Sequence, residues 1–150
     1  MNPATIRVRA KTILGIALEN AWEQSGLILY AWVSLAARRC DIAGCLDQKH
    51  LYGVWQKDPA TRTARYVVGL EVNEGSIAPE GMHLATIPAG RYARLAHTGD
   101  MGRIAEAYQD LRCVMPETET PDVWRPTFEV YDTTQPIGPD IRVLVHEPVP

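Results

Sequence analysis

The sequence predicts an α+β domain: an antiparallel sheet with two helices on one side and a central cleft. Three observations lead there. Runs that alternate apolar and polar residues, the period of a half-buried strand, dominate the chain. Only two segments repeat at helical spacing. The order strand, strand, helix, strand, strand then occurs twice, which suits sheet and helices packed as layers around one core. At 150 residues, 46% of them hydrophobic, the chain is sized for a single domain, 1–150, with a sizeable core.

Taken in order, TIRVRA and KTILGIALEN read as the first two strands. Ser25 is an expected N-cap for a helix through GLILYAWVSLAARRC, ending near Cys40. That helix is apolar almost all round and so is expected to bury more than one face. Arg38 and Arg39 close it, where cations complement the helix dipole. After Gly44 come the strands HLYGVWQ and ARYVVGLEV, joined by KDPATRT with Asp58-Pro59 as turn chemistry. The segment NEGSIAPEG separates the halves. MHLATIP and GRYARLAHTG are strands about a Pro-Ala-Gly turn. A second helix starts near Thr98 or Asp100, with Met101, Ile104, Ala105, Tyr108 and Leu111 on one face and Arg103, Glu106 and Asp110 opposite. The loop MPETETPDVWRP leads to the strands PTFEVYDT and DIRVLVHEPV.

The two halves read as pseudo-repeats, about 4–74 and 82–148. LYGVWQKDP followed by ARYVVGLEV lies over TFEVYDTTQP followed by DIRVLVHEP. In that register Tyr52 matches Phe128, Gly53 matches Glu129, Val54 matches Val130 and Trp55 matches Tyr131. Side chains alternate along a strand, so Gly53, Trp55, Glu129 and Tyr131 share a facing. If the halves meet about a pseudo-twofold axis, these strands face one cleft, with space on the glycine side, charge on the glutamate side and aromatic walls.

Composition narrows the function. A net charge of −3 argues against a general nucleic-acid binder, which would carry a basic face. The first residues lack a signal peptide's apolar core, and the run Leu27 to Ala37 is too short to span a bilayer, so a cytoplasmic protein is expected with no membrane partner. Cys40, Cys45 and Cys113 have no metal-site rhythm and read as free buried thiols; the four histidines are scattered. No metal and no cofactor are expected.

The segment TIPAGRYARLAHTGDMGRIAEAYQDL and the closing FEVYD and DIRVLVHEPV, with LYGVW and ARYVVGLEV in the first half, resemble the GyrI-like small-molecule-binding domain. This module forms the effector-binding end of many AraC- and MerR-type transcription regulators and also occurs free-standing. The resemblance implies a duplicated unit with a ligand cleft between two helices. It also implies that Glu129 lies in that cleft and meets cationic or polar ligands among aromatics. With the first strand starting near residue 5, no room remains for a DNA-binding domain, so direct nucleic-acid contact is not expected unless a separate protein partner supplies it.

The candidate ligand-binding residues are therefore Glu129, Tyr131, Trp55 and Gly53, with Tyr92, Trp32, Tyr30 and Tyr66 as further aromatics near the cleft. A carboxylate ringed by aromatic faces favours a weakly hydrated organic cation. The leading expectation is a module that binds hydrophobic organic cations or similar amphipathic small molecules. The resemblance also implies an enzymatic alternative, since some family members are hydrolases of strained-ring natural products. There Glu129 would activate water and Tyr131 would position it or donate a proton. A third expectation is a protein-binding inhibitor, like the family's naming member with its DNA topoisomerase, using an acidic patch such as Glu117, Glu119 and Asp122.

Overall fold

A computed structural model of the chain describes residues 4–21, 23–58, 63–98, 104–113, 126–133 and 142–149. The strands are β1 (Ala4–Val8), β2 (Lys11–Leu18), β3 (His50–Asp58), β4 (Thr63–Val72), β5 (His83–Ile87), β6 (Gly90–Thr98), β7 (Thr127–Asp132) and β8 (Arg142–Pro148), and the helices are α1 (Ile28–Arg38) and α2 (Ile104–Cys113). All eight strands join one antiparallel sheet in the order β1-β6-β8-β7-β3-β4-β2-β5. Exchanging β1 with β5, β2 with β6, β3 with β7 and β4 with β8 reverses this order without changing it. At the centre Gly53 pairs with Glu129, flanked by Tyr52 with Val130 and Val54 with Phe128. A twofold relation between the halves would pass between Gly53 and Glu129.

Both faces of the sheet are covered over much of its area. On one side α1 packs against β2 and β4, and α2 against β6 and β8. Leu14, Ala31, Leu35, Val68 and Leu70 form the core under α1, and Leu95, Tyr108, Leu111, Val143 and Val145 form the core under α2. Trp32 packs against both. Each helix thus sits over the outer strands of its own half, and the central pair β3–β7 runs between them. On the opposite side Ile13, Tyr52, Val54, Val67, Ile87, Tyr92 and Phe128 form a third cluster, closed by the curl of the sheet. Two-sided burial explains why β4 is buried at nearly consecutive positions instead of alternating.

Several details differ from the sequence reading. Ser25 opens a short 3₁₀ turn, Ser25–Leu27, and α1 begins at Ile28 with Leu27 at its cap and no side-chain capping bond. The helix does not bury more than one face. Ala31 and Leu35 are buried, while Leu29 (71% exposed), Tyr30 (69%) and Val33 (58%) face outward, because a helix in a single layer presents one stripe to the sheet. Its end is fastened rather than loose: Arg38 donates to Asp41 Oδ2 at 3.1 Å and to the Glu80 carbonyl at 2.8 Å, and Arg39 to the Gln48 carbonyl at 2.8 Å. The thiols are free, but Cys40 and Cys113 are exposed, not buried. Pro59, the cap residue Asp100, Met101, Arg103 and the acidic residues Glu117, Glu119 and Asp122 lie outside the described residues.

Candidate functional site

β7 alternates as its sequence demands, Phe128 and Val130 on one side and Thr127, Glu129 and Tyr131 on the other. The second set faces the helices. Glu129 is 3% exposed, and each of its carboxyl oxygens accepts two hydrogen bonds. Oε1 receives the hydroxyls of Tyr66 and Tyr131, both at 2.7 Å. Oε2 receives the Trp55 indole N–H and the Tyr108 hydroxyl, both at 2.7 Å. The donors come from β4, β7, β3 and α2, so the network ties both halves of the sheet and one helix to a single side chain.

Gly53 makes this geometry possible. A Cβ there would collide with the Tyr66 hydroxyl oxygen and lie within 3 Å of two of its ring carbons. Because Gly53 is the cross-strand partner of Glu129, any side chain at this position would displace the phenol that reaches Oε1. The aromatic rings also support one another. Trp55 leans on Tyr66, centroids 4.5 Å apart, and Trp32 of α1 packs edge-on against Tyr131 at 4.8 Å.

Among the described residues no ion pair involves Glu129. Four donors fill the four lone-pair positions of an ionised carboxylate, holding the charge in a buried place without cancelling it. Burial, followed by the nearby Glu129 charge, pushes the hydroxyls of Tyr66, Tyr108 and Tyr131 well above the ordinary tyrosine range. They therefore remain donors throughout the neutral and mildly alkaline range. The arrangement presents a fixed negative charge wrapped in polarisable π surfaces.

Of the residues singled out from the sequence, Glu129, Tyr131, Trp55, Tyr66 and Gly53 come together, with Trp32 against Tyr131. Tyr92 does not join them. It is on the opposite face, edge-on to Phe128 at 5.2 Å, with its hydroxyl donating to the Pro88 carbonyl at 2.7 Å. Tyr30 projects outward from α1. Tyr108 was read only as an apolar helix position, yet it supplies a fourth donor. The available signal was chemical: a chain with six tyrosines and one phenylalanine uses a phenol between Ile104 and Leu111, where a plain apolar residue would pack equally well. A buried tyrosine hydroxyl needs an acceptor.

An eight-stranded antiparallel sheet with two helices on one face is the fold that the chain shares with effector-binding domains. The family model described as "Cass2: Integron-associated effector binding protein" matches residues 7–143, and the chain belongs to this effector-binding family, within the GyrI-like group. It is 32% identical over 121 residues to the transcriptional regulator BrlR of Pseudomonas aeruginosa, a match covering 79% of this chain and 44% of that protein. The chain thus corresponds to less than half of that regulator. Among solved structures, SAV2435 bound to tetraphenylphosphonium superimposes with a TM-score of 0.76 at 14% identity, covering 100% of this chain and 94% of that one. The Vibrio cholerae integron cassette protein Cass2 superimposes with a TM-score of 0.65 at 15% identity, covering 99% and 95%. Among the described residues no helix is long and apolar enough to cross a membrane.

Proposed function

We propose that this effector-binding domain takes up lipophilic organic cations against Glu129, between α1 and α2. The observation that carries the reading is the buried glutamate with four neutral donors and, among the described residues, no counter-ion. Burying a carboxylate is costly, and a fold that needed only packing would place an apolar residue here. The donors offset that cost while leaving the net charge available. A hydrated inorganic cation would have to shed its water to approach a carboxylate whose lone pairs are already engaged. A delocalised cation sheds little water and gains ring-face attraction of about 0.5–2 kcal/mol from each well-placed aromatic. The tetraphenylphosphonium-bound relative supports this class of ligand by analogy of fold.

The hydrolase reading is less well supported by this geometry. A general base needs a free lone pair directed at water, and both oxygens of Glu129 already accept two hydrogen bonds each. Tyr131 spends its proton on Oε1.

The test is calorimetric titration of the protein with tetraphenylphosphonium and, separately, with triphenylphosphine oxide, a neutral molecule of related outline. The cation is expected to bind at least tenfold more tightly, a difference of about 1.4 kcal/mol. Glu129→Gln is expected to erase that preference. Equal affinity for both molecules, or a cation preference that survives Glu129→Gln, would remove Glu129 from ligand recognition.

A further inference from the structure

The opposite face of the same strands carries a chemically inverted feature. A cleft of about 320 Å³ opens there, at the lower end of the roughly 300–1,000 Å³ usual for small-molecule sites. Its floor comes from the three neighbouring strands β3, β7 and β8, which contribute Tyr52, Phe128, Val130 and Leu144. Phe128 and His146 stack face to face beneath that floor, centroids 4.1 Å apart at 7°, and both are buried, so half-buried Val130 and Leu144 offer its accessible apolar surface.

The rim is basic. Arg7, Arg9 and Lys11, at the corner from β1 into β2, and Arg94 of β6 all line the cleft, and among the described residues no carboxylate does. This is notable in a chain whose net charge is −3. Two acids flank it: Glu71 pairs with Lys11 at 3.4 Å and so matches that charge, and Asp47 meets His50 at 2.6 Å. His146 adds no positive charge near neutrality, because burial lowers its pKa to about 4. The permanent charges without an acidic partner among the described residues are those of Arg7, Arg9 and Arg94.

We propose that this cleft binds a small amphipathic anion, its apolar body on Val130 and Leu144 and its anionic head between Arg94 and Arg9. The side-chain alternation of β7 would then serve two recognitions, with Glu129 toward the helices for a cation and Val130 toward the cleft for an anion. The inference stands apart from the Glu129 reading, since it uses none of the same side chains.

The experiment is calorimetric titration with 2-naphthoate, its neutral counterpart 2-naphthamide, and inorganic phosphate. We expect 2-naphthoate to bind with one-to-one stoichiometry, at least fivefold more tightly than the amide, and more weakly as salt is raised, since exposed charge interactions are screened. Arg94→Gln should weaken 2-naphthoate at least fivefold and leave the amide unchanged, whereas Glu129→Gln should leave 2-naphthoate within twofold. Should Arg94→Gln fail to fold, the variant Arg9→Gln is read in the same way. Equal binding of amide and acid, phosphate binding as tightly as 2-naphthoate, insensitivity to the cationic substitutions, or loss of 2-naphthoate binding in Glu129→Gln would each overturn the proposal.

Discussion

Glu129 occupies a position that a strand pattern leaves undecided, and its meaning comes from four donors that are distant in sequence. Each is bound to an ionised acceptor, the kind of hydrogen bond whose removal costs about 1.5–3 kcal/mol. Tyr66→Phe is accordingly expected to lower stability by about that amount, read by urea denaturation, with Tyr108→Phe similar. Gly53→Ala should do comparable damage by another route, because its added methyl meets the Tyr66 phenol. The expected loss is about 1–3 kcal/mol, as for overpacking generally. The double variant Gly53→Ala, Tyr66→Phe should lose less than the sum of its parts, since both changes break the same contact. Full additivity would mean that Gly53 and Tyr66 act independently. His146 carries a separate pH signature. Burial lowers its pKa from 6.5 to about 4, so the unfolded chain takes up a proton that the folded chain refuses. That stability is present above about pH 6.5 and is lost as pH falls toward 4, by up to roughly 3 kcal/mol. Comparing wild type with His146→Phe by denaturation at pH 7 and pH 4.5 should show the pH-dependent difference shrink in the variant.

At the scale of elements, α1 shows how a helix can be apolar all round in sequence and amphipathic in use. Its buried stripe is Ala31 and Leu35, with Trp32 bridging to the second half, while Leu29, Tyr30 and Val33 face out. Leu35→Ala is expected to cost about 2–5 kcal/mol, the usual range for truncating a buried leucine. The pair Leu29→Lys, Val33→Lys should stay within about 0.5 kcal/mol of wild type by the same denaturation assay, as substitutions on an exposed surface do. A large loss in the lysine pair would mean that this face is covered.

Across the whole molecule, the central strand pair links the two halves and, on the two proposals above, would serve a ligand on each side. A ligand that binds only the folded state raises stability by about 2.7 kcal/mol at one hundred times its dissociation constant. Tetraphenylphosphonium at that excess should therefore raise the melting temperature measurably, and Glu129→Gln, binding tenfold more weakly, should cut the stabilisation to about 1.4 kcal/mol. With 2-naphthoate present as well, the two stabilisations are expected to add, because the side chains facing the helices and those facing the cleft do not overlap. Competition between them would tie the faces together through the β7 backbone.

The fold was largely readable from the chain because it rests on local periodicity: alternation in each strand, helical spacing in Ile104, Tyr108 and Leu111, and the repeated order of elements. The sharing of one facing by Gly53, Trp55, Glu129 and Tyr131 followed from the same alternation plus the register between the halves. Sequence could not say that both sides of the sheet would be buried, so facing alone did not distinguish a solvated Glu129 from an enclosed one. Nor could it place Tyr92 opposite, Tyr30 outward or Tyr108 at Oε2, since those depend on which stripe of a helix and which edge of a curled sheet meet others far along the chain. Periodicity fixes the direction of a side chain relative to its own element. What that side chain meets is decided only when the elements pack, and here packing turned a strand glutamate into a buried charge held by four aromatic donors.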